Sequence, residues 1–406
     1  MSRTLYLIGI GYKPLTEEEE KALKRVTKIF TFKKTEEIFK RYPQYSLVKE
    51  KIKIVKRVDE LLEEIERESG EVIILAGGDP LTFGVGEKLL SHFSKDEIKV
   101  YPDLTTPQIL CSRLKIPYHK IKIYSLHGRT LKREAFLREV LQNEYLFVYT
   151  DSEKNPSYIA DFLKRENLDY LTLFVGERLG YPEERILKGK PSELVNQTFR
   201  EPNSLLIVNP DWGKEILLGI KERKIFHEKG MITKDEARAI IIHKLEPPLR
   251  GVIWEIGAGS GSISIELARL SPHLEIYAIE KRKDYCDFIE RNCQKFLVSN
   301  IKIIHGEAPE ALLNLPPPER VFVGGNSGRL IEILEFLEGL KSLKITLFSF
   351  ITYENLKEAL EFFKNKPYEM DLIQLQVNRF SPLKDYHLFK PENPLFILKV
   401  TKEFQD

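Results

Sequence analysis

Cysteine, methionine and tryptophan are scarce in this 406-residue chain, with three, three and two copies respectively. Cys111, Cys286 and Cys293 show neither C-x-x-C spacing nor a histidine cluster beside them. That argues against a disulfide framework and a zinc site, and predicts free thiols in a reducing compartment. No protein-bound metal is expected. An excess of one charge is also missing: 63 Lys and Arg oppose 61 Asp and Glu, a formal net charge of +2. No bulk attraction to a polyanion follows from that balance, which by itself neither suggests nor excludes nucleic acid; the motifs below lead to the expectation of no nucleic-acid partner. No apolar run approaches the length of a membrane span. The first residues enter a strand directly, without the basic and apolar regions of a secretory leader. A cytoplasmic protein without a membrane partner is expected.

What is present is the composition of a folded chain, 42% apolar and 31% charged. Its length allows roughly two or three domains. Strand and helix patterns alternate throughout, so both halves read as α/β. Asn209-Pro210-Asp211-Trp212-Gly213 interrupts the alternation, and a lysine- and glutamate-rich connector follows to about Lys229. The expected domains are therefore residues 1–212 and 230–406, joined by a linker at 213–229.

The most informative stretch is Trp254-Glu255-Ile256-Gly257-Ala258-Gly259-Ser260-Gly261-Ser262. Val252 and Ile253 before it read as a buried strand, and Ile263, Leu267 and Leu270 after it recur at helical spacing. The glycines thus occupy a strand-to-helix turn, where a ligand can approach the backbone and free helical N–H groups face an anion. The spacing G-x-G-x-G is one residue shorter than a dinucleotide fingerprint. About twenty residues on, the strand Ile276–Ile279 ends in Glu280, placed to accept from ribose hydroxyls. A turn with no pyrophosphate pattern followed by a ribose acid fits S-adenosylmethionine (SAM), whose anionic group is a carboxylate.

In the first half, the strand Thr4–Ile10 ends in Gly9-Ile10-Gly11, and Thr16 precedes a run of glutamates as a helix cap. The buried strand Val72–Ala76 leads into Gly77-Gly78-Asp79-Pro80-Leu81-Thr82-Phe83-Gly84-Val85-Gly86, a sharp turn. Thr106 is expected as an N-cap with Pro107 as the first helical residue. Ser125–Arg129, a strand from Tyr145 to Thr150, Gly176–Arg185 and a strand Ser204–Val208 complete this half. In the second half, Thr233 and Glu236 read as a capping box opening a helix that carries Ala237, Ile240, Ile241 and Leu245. Strands Ile301–Ile304 and Val321–Val323 run into Gly306-Glu307-Ala308-Pro309 and Gly324-Gly325-Asn326. Further strands at 346–350, 370–377 and 394–399 are expected to include an antiparallel edge pair. Gly257, Glu280, Glu307 and Gly325 should line one side of one crevice at the carboxyl ends of parallel strands.

These motifs carry a resemblance. Thr233-Lys234, Trp254–Glu266, Ala278-Ile279-Glu280, Gly306–Pro309 and Phe322–Gly325 resemble the decarboxylating precorrin methyltransferases of cobalamin biosynthesis. Gly9-Ile10-Gly11, Gly78–Leu81, Ser125–Arg129 and Glu177–Gly180 are similar to the tetrapyrrole methylases. Both halves in this order resemble the fused C5,15-methylating, decarboxylating precorrin enzymes. Glu255 and Glu307 stand where that family usually has Asp, and Tyr12 stands where a further Gly is common. The resemblance implies a two-lobed tetrapyrrole methylase fold followed by a Rossmann-like SAM-dependent methyltransferase fold. It implies one SAM site in each, C5 methylation by the first domain and C15 methylation with decarboxylation by the second. Gly78, Asp79, Pro80, Gly84, Thr105 and Thr106 would then contact SAM in the first half. Thr233, Glu255, Gly257, Gly259, Gly261, Glu280, Glu307, Ala308 and Gly325 would do so in the second. The macrocycle carries several carboxylates, so His127, Arg129, Arg178, Lys234, Arg238 and Arg329 are candidate substrate contacts. No catalytic side chain is singled out, because the chemistry asks mainly for alignment. A dimer or tetramer is implied. The competing readings are a SAM-dependent RNA base methyltransferase, which should show a basic, aromatic-bearing face, and a SAM-binding regulator without catalysis.

Overall fold

The computed structural model describes residues 3–214, 218–228 and 230–402. It divides into one compact unit of residues 1–131 with 140–213 and another of 132–139 with 214–406.

The first unit contains two sheets. β1 (Thr4–Ile10), β2 (Lys28–Phe32), β3 (Ile52–Val55), β4 (Glu71–Gly77) and β5 (Ile98–Tyr101) form an all-parallel sheet in the order β3-β2-β4-β1-β5. Leu5 and Leu7 of β1 face one apolar layer while Tyr6, Ile8 and Ile10 face the other. Burial on both faces explains why the strand reads as an unbroken apolar run. β6 (Ile121–Ser125), β7 (Tyr145–Tyr149), β8 (Thr172–Glu177), β9 (Arg185–Gly189) and β10 (Asn203–Val208) form a mixed sheet, β6-β7-β10-β8-β9. Only the β6–β7 pair is parallel in it. The helix after β5 spans Thr106–Leu114, and its N-cap is Thr105, not Thr106. Gln108 decides this: its side chain accepts from the Thr105 N–H at 2.7 Å, while Thr105 Oγ1 accepts from the Gln108 N–H. From Thr106 the corresponding position is Ile109, which has no acceptor.

The second unit is built on a seven-stranded sheet. β11 (Gly251–Ile256), β12 (Leu274–Glu280), β13 (Ile301–His305), β14 (Arg320–Val323) and β15 (Ile345–Phe350) are parallel. β16 (Tyr368–Leu375) and β19 (Leu395–Lys402) add an antiparallel edge, giving β13-β12-β11-β14-β15-β19-β16. The expected edge pair is there. A separate hairpin, β17 (Asn378–Leu383) with β18 (Tyr386–Pro391), is not foreshadowed by the sequence reading. Strand order reverses between β11 and β14, which opens a crevice above their carboxyl ends.

The helix Asp235–Leu245 takes Lys234 as its N-cap, with no side-chain cap bond, so the Thr233–Glu236 capping box does not form. Glu236 is instead held by the Arg379 guanidinium, 2.7 Å from Nη1. The Thr233 carbonyl accepts from Arg238. Residues 215–217 and 229 of the anticipated linker lie outside the described residues. Its Ile220 and Ile225 are buried in the second unit's core. Among the described residues no helix is long and apolar enough to cross a membrane.

Candidate active site

In the second unit the turn after β11 places Gly257, Gly259 and Gly261 at φ of +73°, +56° and +74°. A Cβ on Gly257 would fall 2.7 Å from the Gly325 amide nitrogen, so the turns after β11 and β14 touch backbone to backbone. A Cβ on Gly259 would meet open space. Gly261 packs against Ile289 and caps the helix Ser262–Leu270. It shapes the turn between Ser260 and Ser262, which line the cavity.

That cavity has a volume of about 730 Å³ and runs along the carboxyl ends of the strands. Such a volume suits a ligand of SAM's size with room for part of a second molecule. Thr233, Glu255, Gly257, Gly259, Glu280, Glu307, Ala308 and Gly325 all line it. Glu280, at the end of β12, accepts from the Gly259 N–H at 2.8 Å through Oε2 and from the Arg282 N–H at 2.9 Å through Oε1. The carboxylate is thereby fixed beside the glycine turn. Glu255 is 2% exposed, and its Oε2 accepts from the N–H and the hydroxyl of Ser264. Burial lifts its pKa to about 8, against the lowering effect of the Ser264 bonds and with a smaller push from Glu280. Glu307 is half exposed and lies 3.4 Å from Lys281. The glycine cradle, the carboxylate at the end of β12 and the open volume fit SAM. Among the described residues no cluster of three or more His, Cys, Asp or Glu could hold a metal ion.

The candidate substrate cations of this unit fare unevenly. Lys234 lines the cavity with its ammonium 2.9 Å from Glu222. Arg238 is 1% exposed and donates to Glu266, Asp235 and the carbonyls of Thr233 and Ile220. It is an internal brace, and the substrate reading is corrected on that ground. Arg329 stands outside the cavity lining, its guanidinium held by Glu310 and Glu332. The sequence reading missed Asn355 and Asn393, which face the same cavity from the helix Tyr353–Phe363 and from the approach to β19. No local motif marks them.

In the first unit the turns after β1, β4 and β5 close on one another. A Cβ on Gly9 would fall 2.2 Å from the Gly78 carbonyl and 2.6 Å from the Asp103 nitrogen. Gly78 has a φ of +68° and donates to the Ile10 carbonyl. The Asp79 carboxylate accepts from the Leu81 N–H at 3.0 Å and the Thr82 hydroxyl at 2.9 Å. Gly84 sits where a Cβ would meet the Pro80 carbonyl at 2.6 Å. Thr106 Oγ1 is 3.2 Å from the Tyr12 hydroxyl. Buried Asp103, absent from the sequence reading, accepts from the Tyr12 N–H at 2.8 Å and holds that turn. Gly78, Asp79, Pro80, Gly84, Thr105 and Thr106 thus share one end of one sheet. His127 Nδ1 is 3.1 Å from the Thr150 carbonyl, and Arg129 lies over the Phe83 ring. Arg178 has a φ of +46°, its guanidinium flanks the Tyr181 ring, and its Nε is buried without a partner. Arg41 covers the same ring at 4.2 Å.

Two family models match the chain in turn: tetrapyrrole (corrin/porphyrin) methylases over residues 4–195 and the precorrin methyltransferase domain over 224–402. A precorrin-6Y C(5,15)-methyltransferase [decarboxylating] from Sinorhizobium sp is 28% identical over 338 residues, 82% of this chain and 81% of that protein. A cobalt-precorrin-6B C(15)-methyltransferase (decarboxylating) from Salmonella typhimurium is 36% identical over 178 residues, 43% of this chain and 92% of that one. A solved precorrin-6y C5,15-methyltransferase structure from Geobacter metallireducens is 34% identical, covering 46% of this chain and all of that one, with a TM-score of 0.44. With a tetrapyrrole methylase half followed by a precorrin methyltransferase half, the chain belongs to the decarboxylating precorrin C5,15-methyltransferase family.

Proposed function

We propose that this chain transfers methyl groups from two SAM molecules to C5 and C15 of a precorrin or cobalt-precorrin macrocycle and removes the ring C acetate carboxyl as carbon dioxide. The first unit takes C5 and the second takes C15. The observation that carries the reading is the convergence of the glycine turn, Glu280 and Glu307 on one cavity at the carboxyl ends of β11 to β14.

SAM supplies an activated methyl on a sulfonium whose departure leaves a neutral thioether. The protein's part is to align ring carbon, methyl and sulfur, and alignment alone can account for a large share of the rate. Glu280 holds the ribose hydroxyls, and the backbone around Gly257 and Gly259 admits the methionine end. In the first unit Thr105, Thr106 and the Gly78–Asp79 turn hold the second SAM. Loss of the acetate carboxyl leaves its electron pair in the conjugated ring, so no metal is assigned to the protein. His127, Arg129, Arg178 and Lys234 remain the proposed contacts for the macrocycle's carboxylates. We place the enzyme in the cytoplasm, as a homo-oligomer with small-molecule partners and no nucleic acid. No finding favours RNA as the substrate. Isothermal titration calorimetry with SAM should give two molecules bound per chain; a stoichiometry of one would contradict the two-site reading.

A further inference from the structure

We propose that Phe83 is the residue against which the macrocycle lies in the C5-methylating half, with Arg129 holding one of its peripheral carboxylates; this rests on the function proposed above. Phe83 has a φ of +51°, a left-handed conformation that a bulky residue rarely adopts. Its ring is 52% exposed, so it gains little from burial in return. The loop's shape does not depend on that ring. Asp79 bonds the Leu81 N–H and the Thr82 hydroxyl, the Pro80 carbonyl accepts from the Gly86 N–H at 3.1 Å, and Gly84 packs on the same carbonyl. Backbone contacts therefore hold an unfavourable aromatic residue outward beside Asp79, and strain of this kind collects where ligands bind.

The surroundings say what the ring receives. Tyr149 meets Phe83 edge-on, with centroids 5.4 Å apart and planes at 61°, and supports it from the second sheet of the unit. The Arg129 guanidinium stands 5.6 Å from the Phe83 centroid. Arg129 is exposed, and among the described residues no carboxylate pairs with it. Leu81 and Leu104, 47% and 42% exposed, extend the apolar surface along the turns after β4 and β5. Exposed aromatic and aliphatic side chains with an unpaired cation beside the aromatic ring are complementary to a conjugated ring fringed by carboxylates. The patch adjoins the turns proposed to hold SAM, as methyl transfer to a ring carbon requires.

The test uses Phe83→Gly, which suits the left-handed backbone and removes the ring, with Phe83→Tyr as the conservative variant. Initial rates on precorrin-6B or its cobalt form, whichever the wild-type protein methylates, would be followed by mass spectrometry with methyl positions assigned by NMR. Phe83→Gly should raise KM for C5 methylation about tenfold. Phe83→Tyr should restore it, with C15 methylation, SAM binding and the unfolding midpoint held. An unchanged KM for the C5 step in Phe83→Gly, or a matching loss at C15, overturns the role of Phe83. Wild-type protein that places no methyl on C5 of either form overturns instead the function on which the inference rests.

Discussion

Glu255 offers a quantitative test of how the glycine turn after β11 is built. Its carboxyl is buried in β11, and its pKa rises from an ordinary 4.5 to about 8 because burial penalises the anion more than the Ser264 bonds favour it. Between those two values the folded protein holds a proton that the unfolded chain has released. Stability from this group is therefore complete below the unfolded value and is lost as pH rises through 8. At about 1.4 kcal/mol per unit the loss has an upper bound of about 5 kcal/mol. Glu255→Gln keeps an acceptor for the Ser264 N–H and hydroxyl while abolishing the ionisation. Scanning calorimetry of the two proteins from about pH 5 to about pH 9 should show the wild-type midpoint falling toward, and then below, that of the variant. A change of a few kcal/mol corresponds to a relative shift of roughly 5–10 °C for a unit of this size. Parallel midpoints across the range would refute the argument that Glu255 is neutral in the folded state.

Two further outcomes follow from the same geometry. Gly257→Ala puts a methyl 2.7 Å from the Gly325 nitrogen at a φ of +73°, so the turns after β11 and β14 must separate. SAM stoichiometry should fall from two to one, with C15 methylation lost and C5 methylation kept. Arg238→Ala leaves Glu266 buried without its cation, the pair having side-chain exposures of 1% and 3%. Stability should drop by about 3–5 kcal/mol in denaturant unfolding of the second unit, while KM for the macrocycle stays put; a raised KM without destabilisation would return Arg238 to the substrate set.

Much of the site was legible because strand ends and glycine turns are local. Gly257, Glu280, Glu307 and Gly325 each follow an apolar run, and parallel pairing alone brings the ends of β11 to β14 to one edge. The misreadings arose where a distant partner decided the outcome. Glu236 satisfied a capping box by spacing, yet Arg379, far along the chain, claims its carboxylate. Arg238 is a candidate substrate contact by its cationic type, but its partner Glu266 lies on the next helix and the connector wraps both. Asn355 lines the cavity from the start of the helix after β15, and Asn393 reaches it because β19 returns antiparallel beside β15, and nothing around either residue signals that placement. Phe83 was visible as a residue in a turn, though its positive φ belongs to the folded loop.

The central claim is that one chain carries out two methylations and a decarboxylation. Mass spectrometry of precorrin-6B and of its cobalt form, after incubation with the protein and SAM, tests it most directly. The account predicts a product that has gained two methyl groups and lost one carbon dioxide from whichever form is the substrate. A product with one added methyl and an intact acetate, or no product from either form while SAM still binds, would contradict it.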